Sequence, residues 1–313
     1  MDQEIIDYTI IVPVYYNEGS ISLTFEELQH KVIAPNNRSC EVIFIDDGSG
    51  DNSLNEILAL KEAYPGIIKV IKLTRNFGQV AAMMAGYSIA RGKCIVNVSA
   101  DFQDPPELIN EMIHHYFNDN YEIVVGTRLA RDESWHRIIC SKMFYWMIRK
   151  MSFRNMPPGG FDLALISHRV KNIILKNQEA NPFWQGQILW TGYKVKFVPY
   201  SRRKREIGES TWTFPKLLKY LIDSMMSYSY LPLRMISAIG IFLALSGFIY
   251  AIIIFIVRLT GGIPNTGWAP LMIVMLILSG VQMLMLGIVG EYLWRNLDQA
   301  RNRDLYIIEE LYE

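Results

Sequence analysis

The stretch Cys94-Ile95-Val96-Asn97-Val98-Ser99-Ala100-Asp101-Phe102-Gln103-Asp104-Pro105-Pro106-Glu107 decides the architecture. Its apolar start, Cys94 to Val98, predicts a short buried strand. Pro106 suits the first turn of a helix, so the segment reads as strand, polar turn and helix. Asp101 then stands at the carboxyl end of a strand, where open parallel sheets bind their ligands. Carboxylate and amide oxygens placed there can hold a hard divalent cation, and the cation can hold a diphosphate. A plainer role is open to Asp101 and Asp104 as well: capping the helix that begins at Pro105-Pro106.

The segments around this stretch alternate. Tyr8 to Val14 reads as a strand, and Ser20 caps a helix to about Val32. Cys40 to Ile45 is a strand ending in Asp46-Asp47-Gly48-Ser49, and a helix runs from Asn52-Ser53 to about Tyr64. Ile67 to Leu73 is a third strand, followed by a helix of small residues from Gln79 to Ala90. Beyond the central stretch, Pro106 to Phe117 is helical and Tyr121 to Gly126 is a further strand. Such alternation predicts a doubly wound α/β domain. Its strands end in Asn17 and Glu18, Asp46 and Asp47, Arg75 and Asn76, Asp101, and Arg128, which would all line one edge of the sheet.

The second half changes character. A helix from Trp135 to Met151 mixes aromatic and basic side chains, which suits either a membrane interface or an ordinary core. Pro157-Pro158-Gly159-Gly160-Phe161-Asp162 is a loop that delivers a carboxylate, and Ser201 to Trp212 is strongly basic. Phe214 to Tyr230 forms an amphipathic helix, and the uncharged runs Ile236–Val257 and Trp268–Val289 are each long enough to cross a bilayer. The predicted organisation is a domain over 1–213, a juxtamembrane helix over 214–232, a transmembrane hairpin over 233–295 and a tail over 296–313.

Met1-Asp2-Gln3-Glu4 is acidic and does not open a signal peptide, so both ends and the large domain are expected in the cytoplasm. Arg234, Arg295, Arg301 and Arg303 agree with the positive-inside tendency, with Arg258 a mild exception. Gly280, Gly287 and Gly290 let spans pack closely, within one subunit or between subunits of a homo-oligomer. The 31 Lys and Arg balance 31 Asp and Glu in 313 residues, which gives no reason to expect nucleic acid as partner. Cys40, Cys94 and Cys140 lie far apart, without metal-ligand or disulfide spacing.

Several phosphate chemistries are excluded. The first strand is followed by Val14-Tyr15-Tyr16-Asn17, not by the glycines of a dinucleotide fingerprint. Gly86 to Gly92-Lys93 is one residue too long for a phosphate loop and precedes a strand instead of following one. A Gly-x-Ser-x-Gly elbow is absent.

Val12-Pro13-Val14-Tyr15-Tyr16-Asn17-Glu18, Asp46-Asp47-Gly48-Ser49, Arg75-Asn76-Phe77-Gly78, Ser99 to Glu107, Gly126-Thr127-Arg128 and Arg205-x-x-Gly208-x-Ser210 occur in that order. Together with the two spans they resemble the polyprenyl-phosphate glycosyltransferases, the dolichol-phosphate-mannose-synthase branch of glycosyltransferase family 2, in its bacterial form. The resemblance runs from Ile10 to about Tyr306. It implies a GT-A nucleotide-sugar-binding domain with amphipathic interface helices and two C-terminal transmembrane helices. The implied reaction moves one sugar, with inversion, from a nucleotide-diphosphate sugar to undecaprenyl phosphate at the bacterial inner membrane, for an envelope glycan such as O-antigen. UDP-sugars are the favoured donors.

By the same resemblance, Pro13, Tyr15, Glu18, Asp46, Arg75 and Ser99 fall in the nucleotide-sugar site. Asp46 would accept from the base, unless it caps the following helix. Asp101 and Gln103 fall where the family holds Mg²⁺ or Mn²⁺, and Asp162 matches the Asp beside the acceptor that the family uses as its base, which makes Asp162 and Asp101 the expected catalytic residues. Arg128, Arg202, Arg205 and Ser210 fall at phosphate and acceptor positions. The basic loop also suits anionic lipid headgroups of the bilayer. Two departures stand out: Ser99 replaces the first Asp of the usual Asp-Ala-Asp, and Ala164 replaces an Arg that follows the acceptor Asp. They leave a catalytically silent membrane scaffold as one alternative. A polymerising synthase is another, against which stand the small number of spans and the missing Arg in Gln187-Ile188-Leu189-Trp190.

Overall fold

The computed structural model describes residues 6–101, 103–129, 142, 145–150, 152–177, 179, 182–201, 231–259 and 267–313. Arg202, Arg205, Ser210, the amphipathic stretch 214–230 and most of the 135–151 helix lie outside the described residues. The chain divides into two compact units, Met1–Leu221 with Asp304–Glu313, and Ile222–Arg303.

The first unit is built on an eight-stranded sheet. In chain order its strands are β1 (Tyr8–Val14), β2 (Cys40–Asp46), β3 (Ile68–Leu73), β4 (Cys94–Asn97), β5 (Ile123–Arg128), β6 (Ala164–Ser167), β7 (Val195–Tyr200) and β8 (Ile308–Tyr312). In space they run β7-β5-β6-β4-β1-β2-β3-β8. Neighbours from β4 through β3 are parallel, as the alternating sequence predicts. β6 runs antiparallel between β4 and β5, and β8 runs antiparallel along β3, so the sheet is mixed.

The helices explain why the central strands read as continuous apolar runs. α1 (Ile21–Leu28), extended by a π-turn at Gln29–Ile33, and α4 (Pro106–Asp119) share one hydrophobic core with Tyr8, Val12 and Phe44. α3 (Gln79–Ile89) covers the other side, where its small residues let it lie directly on Ile11 and Ile45. Strands covered on both faces have no solvent side to alternate with. α4 buries Leu108, Ile109, Met112 and Ile113, a stripe at helical spacing, and each such side chain contributes about 1.5–3 kcal/mol. α2 (Ser53–Ala63), α5 (His168–Lys176) and α6 (Trp184–Trp190) complete the layers.

Opposite the carboxyl ends of these strands lies a buried charge cluster. Glu41 accepts from the Thr9 hydroxyl at 2.7 Å and the Arg91 backbone N–H at 2.6 Å, and pairs with Lys69 at 2.8 Å. Burial acts to raise the Glu41 pKa, but Lys69, Arg91 and Thr9 outweigh it and hold the carboxyl below its ordinary range. The turn between α3 and β4 is thereby pinned to β1 and β2.

Residues 308–312, part of the expected tail, form an integral strand. β8 pairs Val70 with Tyr312 and Lys72 with Glu310, and Lys72 meets Glu309 at 3.0 Å. The Thr74 N–H donates to the Ile307 carbonyl at 3.1 Å, which extends the pairing to the edge that carries Arg75.

The second unit holds α7 (Leu231–Leu259) and α8 (Trp268–Ala300), both long and apolar enough to cross a membrane. α8 continues past the uncharged run as one helix, where Arg295 pairs with Glu291 one turn earlier at 2.8 Å.

Candidate active site

The loops after β1 and β2 are laced together by short polar bonds. The Tyr16 N–H donates to Ser49 Oγ, the Asn17 N–H to Ser53 Oγ, and the Glu18 N–H to the Asp51 carboxylate. Glu18 in turn accepts the Asn52 N–H at 3.3 Å, so this residue braces the loop pair. Tyr15 and Tyr16 stand half exposed, edge to face, with ring centres 4.7 Å apart. Tyr16 takes a left-handed φ of 54°, the point where the chain absorbs the doubled tyrosine. Pro13 lies in β1 opposite Ile45, close below these rings in the chain.

Asp46 is buried at the end of β2 and accepts the Ser49 N–H at 3.2 Å. α2 begins later, at Ser53 with Asn52 at its N-cap, so Asp46 closes the turn and is not the helix cap. Burial raises its pKa, with the Ser49 hydroxyl and N–H pulling the other way. Asp47 accepts the N–H groups of Phe77 and Gly78 at 2.7 and 2.9 Å, which fixes the start of α3 from a different strand. Gly48 makes that approach possible: its φ is +70°, and a Cβ there would stand 2.6 Å from the Arg75 carbonyl carbon. Arg75 is exposed, with its guanidinium 4.0 Å from the Phe77 ring centre.

The Asp101 turn is held from below. Ser20 does not cap α1 through its side chain; its hydroxyl donates to the carbonyls of Asn17 and Ala100, each at 2.9 Å. Thr24 donates to the same Ala100 carbonyl at 3.2 Å. The buried Asp101 accepts the Ser99 hydroxyl at 2.6 Å and the Gln103 N–H at 3.4 Å through one carboxylate oxygen, Oδ1. Pro105 is the N-cap of α4, a place that neither Asp101 nor Asp104 takes. Asp104 instead accepts the Tyr200 hydroxyl at 3.3 Å, which joins the turn to β7.

β6 brings Asp162 to this edge. It pairs Leu165 with Val96 of β4 and Ala164 with Val125 of β5. Asp162 stands two residues before β6, at the same end of the strands where the turn after β4 carries Ser99 and Asp101. Asp162 is half exposed and forms an ion pair with Arg128, the last residue of β5, whose side chain is largely buried. Ala164 is fully buried in the sheet, so the cation beside Asp162 comes from the neighbouring strand. The sequence places Asp47 at this edge without its bonds to α3, and carries no signal for the Tyr16–Ser49 brace or the Ser20–Ala100 bond. The doubled Asp46-Asp47 before Gly48 was the available signal for Asp47.

Residues 9–169 match glycosyl transferase family 2, and residues 231–295 match the GtrB C-terminal hairpin. The glycosyltransferase sll0501 of Synechocystis sp. is 34% identical over 98% of this chain and 96% of its own length. The glycosyltransferase YkcC of Bacillus subtilis is 36% identical over 98% and 94%. The chain belongs to glycosyl transferase family 2.

The family's GT-A type α/β domain is the sheet described above, and the protein is a glycosyltransferase with two apolar C-terminal helices. Among solved structures, glucosyl-3-phosphoglycerate synthase from Mycobacterium tuberculosis, in complex with Mn²⁺, UDP and phosphoglyceric acid, is 13% identical. That similarity covers 71% of this chain and 76% of the synthase, with a TM-score of 0.49. In this family 2 domain the described residues include no cluster of three or more His, Cys, Asp and Glu able to hold a metal ion. Asp101 and Gln103 both carry oxygen donors of the hard kind that Mg²⁺ or Mn²⁺ takes.

Proposed function

We propose that this glycosyltransferase moves a single sugar from a nucleotide-diphosphate sugar, a UDP-hexose in the first instance, to undecaprenyl phosphate. The observation that carries the reading is the return of Asp162, paired with Arg128, to the edge that holds the Ser99–Asp101 turn. The GtrB-type hairpin supports a membrane-borne acceptor. The catalytic domain would then lie on the cytoplasmic face of the inner membrane, with the product serving an envelope glycan. Gly280, Gly287 and Gly290 leave open space where a Cβ would stand, which suits close packing of spans in a homo-oligomer.

In this reading an acceptor phosphate oxygen attacks the anomeric carbon from the face opposite the nucleotide. The bond from that carbon to the diphosphate oxygen breaks, its electron pair leaves with the nucleoside diphosphate, and the configuration inverts. Asp46 and the Tyr15 loop bind the nucleoside, with Pro13 and Glu18 shaping that loop and Arg75 near the phosphates. Asp101 and Gln103 would hold a divalent ion, whose chemistry when bound would be to offset charge on the diphosphate. The Ser99 hydroxyl donates to Asp101 Oδ1 and so steadies that carboxylate in the turn. The acceptor phosphate is already anionic, so Asp162 need remove no proton and instead orients the acceptor with Arg128. Arg202, Arg205 and Ser210 would add contacts to phosphate groups.

The test is direct. Purified protein is incubated with undecaprenyl phosphate, Mg²⁺ or Mn²⁺ and a panel of labelled nucleotide sugars, and the lipid is extracted and chromatographed. One labelled lipid phosphate sugar is expected, dependent on the metal. Folded protein that labels no lipid with any donor would overturn the reading and favour a silent scaffold.

A further inference from the structure

Behind Asp162 lies a buried polar chain that the reaction scheme does not use. Gly160 has a φ of +65°, and a Cβ there would overlap the Tyr145 ring. The next carbonyl, that of Phe161, accepts the side-chain amide of Gln185, which also lies 3.4 Å from the Tyr145 hydroxyl. Trp184 packs its ring against Phe161 at 5.6 Å and donates its indole N–H to the Tyr87 hydroxyl at 3.1 Å. Asn97 donates to that same hydroxyl at 2.6 Å. Asn97 closes β4, directly before the turn that carries Ser99 and Asp101.

The geometry points to Trp184 and Gln185 as positioning residues that hold the acceptor carboxylate Asp162 in register with the Asp101 turn. This inference rests on the transferase reading above. α6 grips the residue before Asp162 with one side chain, and through Tyr87 it grips the strand that delivers Asp101 with the next. Among the described residues the buried Oε1 atoms of Gln185 and Gln187 both lack a hydrogen-bond partner, so what sets Gln185 apart is where its amide goes, to the Phe161 carbonyl beside Asp162. Misplacement of a reacting group by about 1 Å can lower a rate about 100-fold.

Gln187 is the control: it lies on the same helix and is as buried as Gln185, but its amide reaches the Asn177 carbonyl. The full chain in detergent would be assayed for kcat, donor KM and melting temperature in wild type, Gln185→Ala, Trp184→Phe and Gln187→Ala. Gln185→Ala should lose about 10- to 100-fold in kcat with donor KM nearly unchanged. Trp184→Phe, which keeps a ring and removes only the donor, should lose about 3- to 10-fold. Gln187→Ala should lose a similar amount of stability with kcat near wild type. A folded Gln185→Ala protein with wild-type kcat overturns the inference, and so does a Gln187→Ala protein that loses as much kcat. Should Gln185→Ala fail to fold, wild-type kcat in Trp184→Phe overturns it. Wild-type protein that turns over no donor sinks the transferase reading and this inference together.

Discussion

The two halves of the sheet obey different rules. From β4 to β3 each strand is parallel to the next, and the chain supplies them by repeated strand-helix alternation. From β5 to β7 the order depends on β6, an antiparallel strand inserted from a distant part of the sequence. The first half carries the Tyr15, Asp46 and Arg75 loops; the second brings Arg128 and Asp162 together. A sheet grown by local units sets a pocket at its strand ends, while the inserted strand sets what stands opposite that pocket.

The sharpest test of this division falls where the halves meet. Asp101→Asn and Asp162→Asn should each lower transfer by about 1,000-fold, measured as labelled lipid, with melting temperatures near wild type. The next effect is confined to the parallel half and to stability. Glu41→Ala strips Lys69 of its buried partner and should destabilise the domain by about 3–5 kcal/mol in denaturant titrations, with donor KM unaffected in the folded fraction. A smaller break is Gly48→Ala. The left-handed φ costs about 1–2 kcal/mol, and the overlap with Arg75 adds to it, so donor KM should rise about tenfold while acceptor KM holds. Ser99→Ala should be the mildest, with the Mn²⁺ dissociation constant, read by electron spin resonance, changing less than about tenfold.

Acid pH separates the two ends of the parallel half. The Glu41 carboxyl titrates below its unfolded value of about 4.3, so its stabilisation is complete above that pH and is lost as the pH falls through the folded value. Asp46 and Asp47 run the other way, because burial raises theirs and protonation relieves it. Glu41→Gln should therefore flatten the acid-side loss of stability, measured as melting temperature between about pH 3 and 6.

The parallel half was legible because its information is local: an apolar run, a polar turn and an amphipathic helix, repeated. Asp101, Asp46 and Glu18 could be placed at one edge from that repetition alone. Leu163-Ala164-Leu165 carries too little pattern to announce a strand, so Ala164 reads in the sequence as a missing cation and in the structure as sheet interior. The Arg128–Asp162 pair follows from that long-range insertion, which no local spacing encodes. Ser20 misled in the opposite sense. Its position suits an N-cap, but the tertiary acceptor at Ala100 takes the hydroxyl instead. β8 alternates too weakly, and with too much exposed charge, to stand out from a tail.

That last strand has a consequence in time. The ribosome makes β3 early and β8 only after both apolar helices have been synthesised. At about 10 residues per second the interval is on the order of 20 s, during which β3 presents an unpaired edge. The loop bearing Arg75 follows that edge directly, so this side of the sheet would be completed only after the two apolar helices exist. Order of manufacture thus leaves the edge beside Arg75 as the last part of the sheet to close.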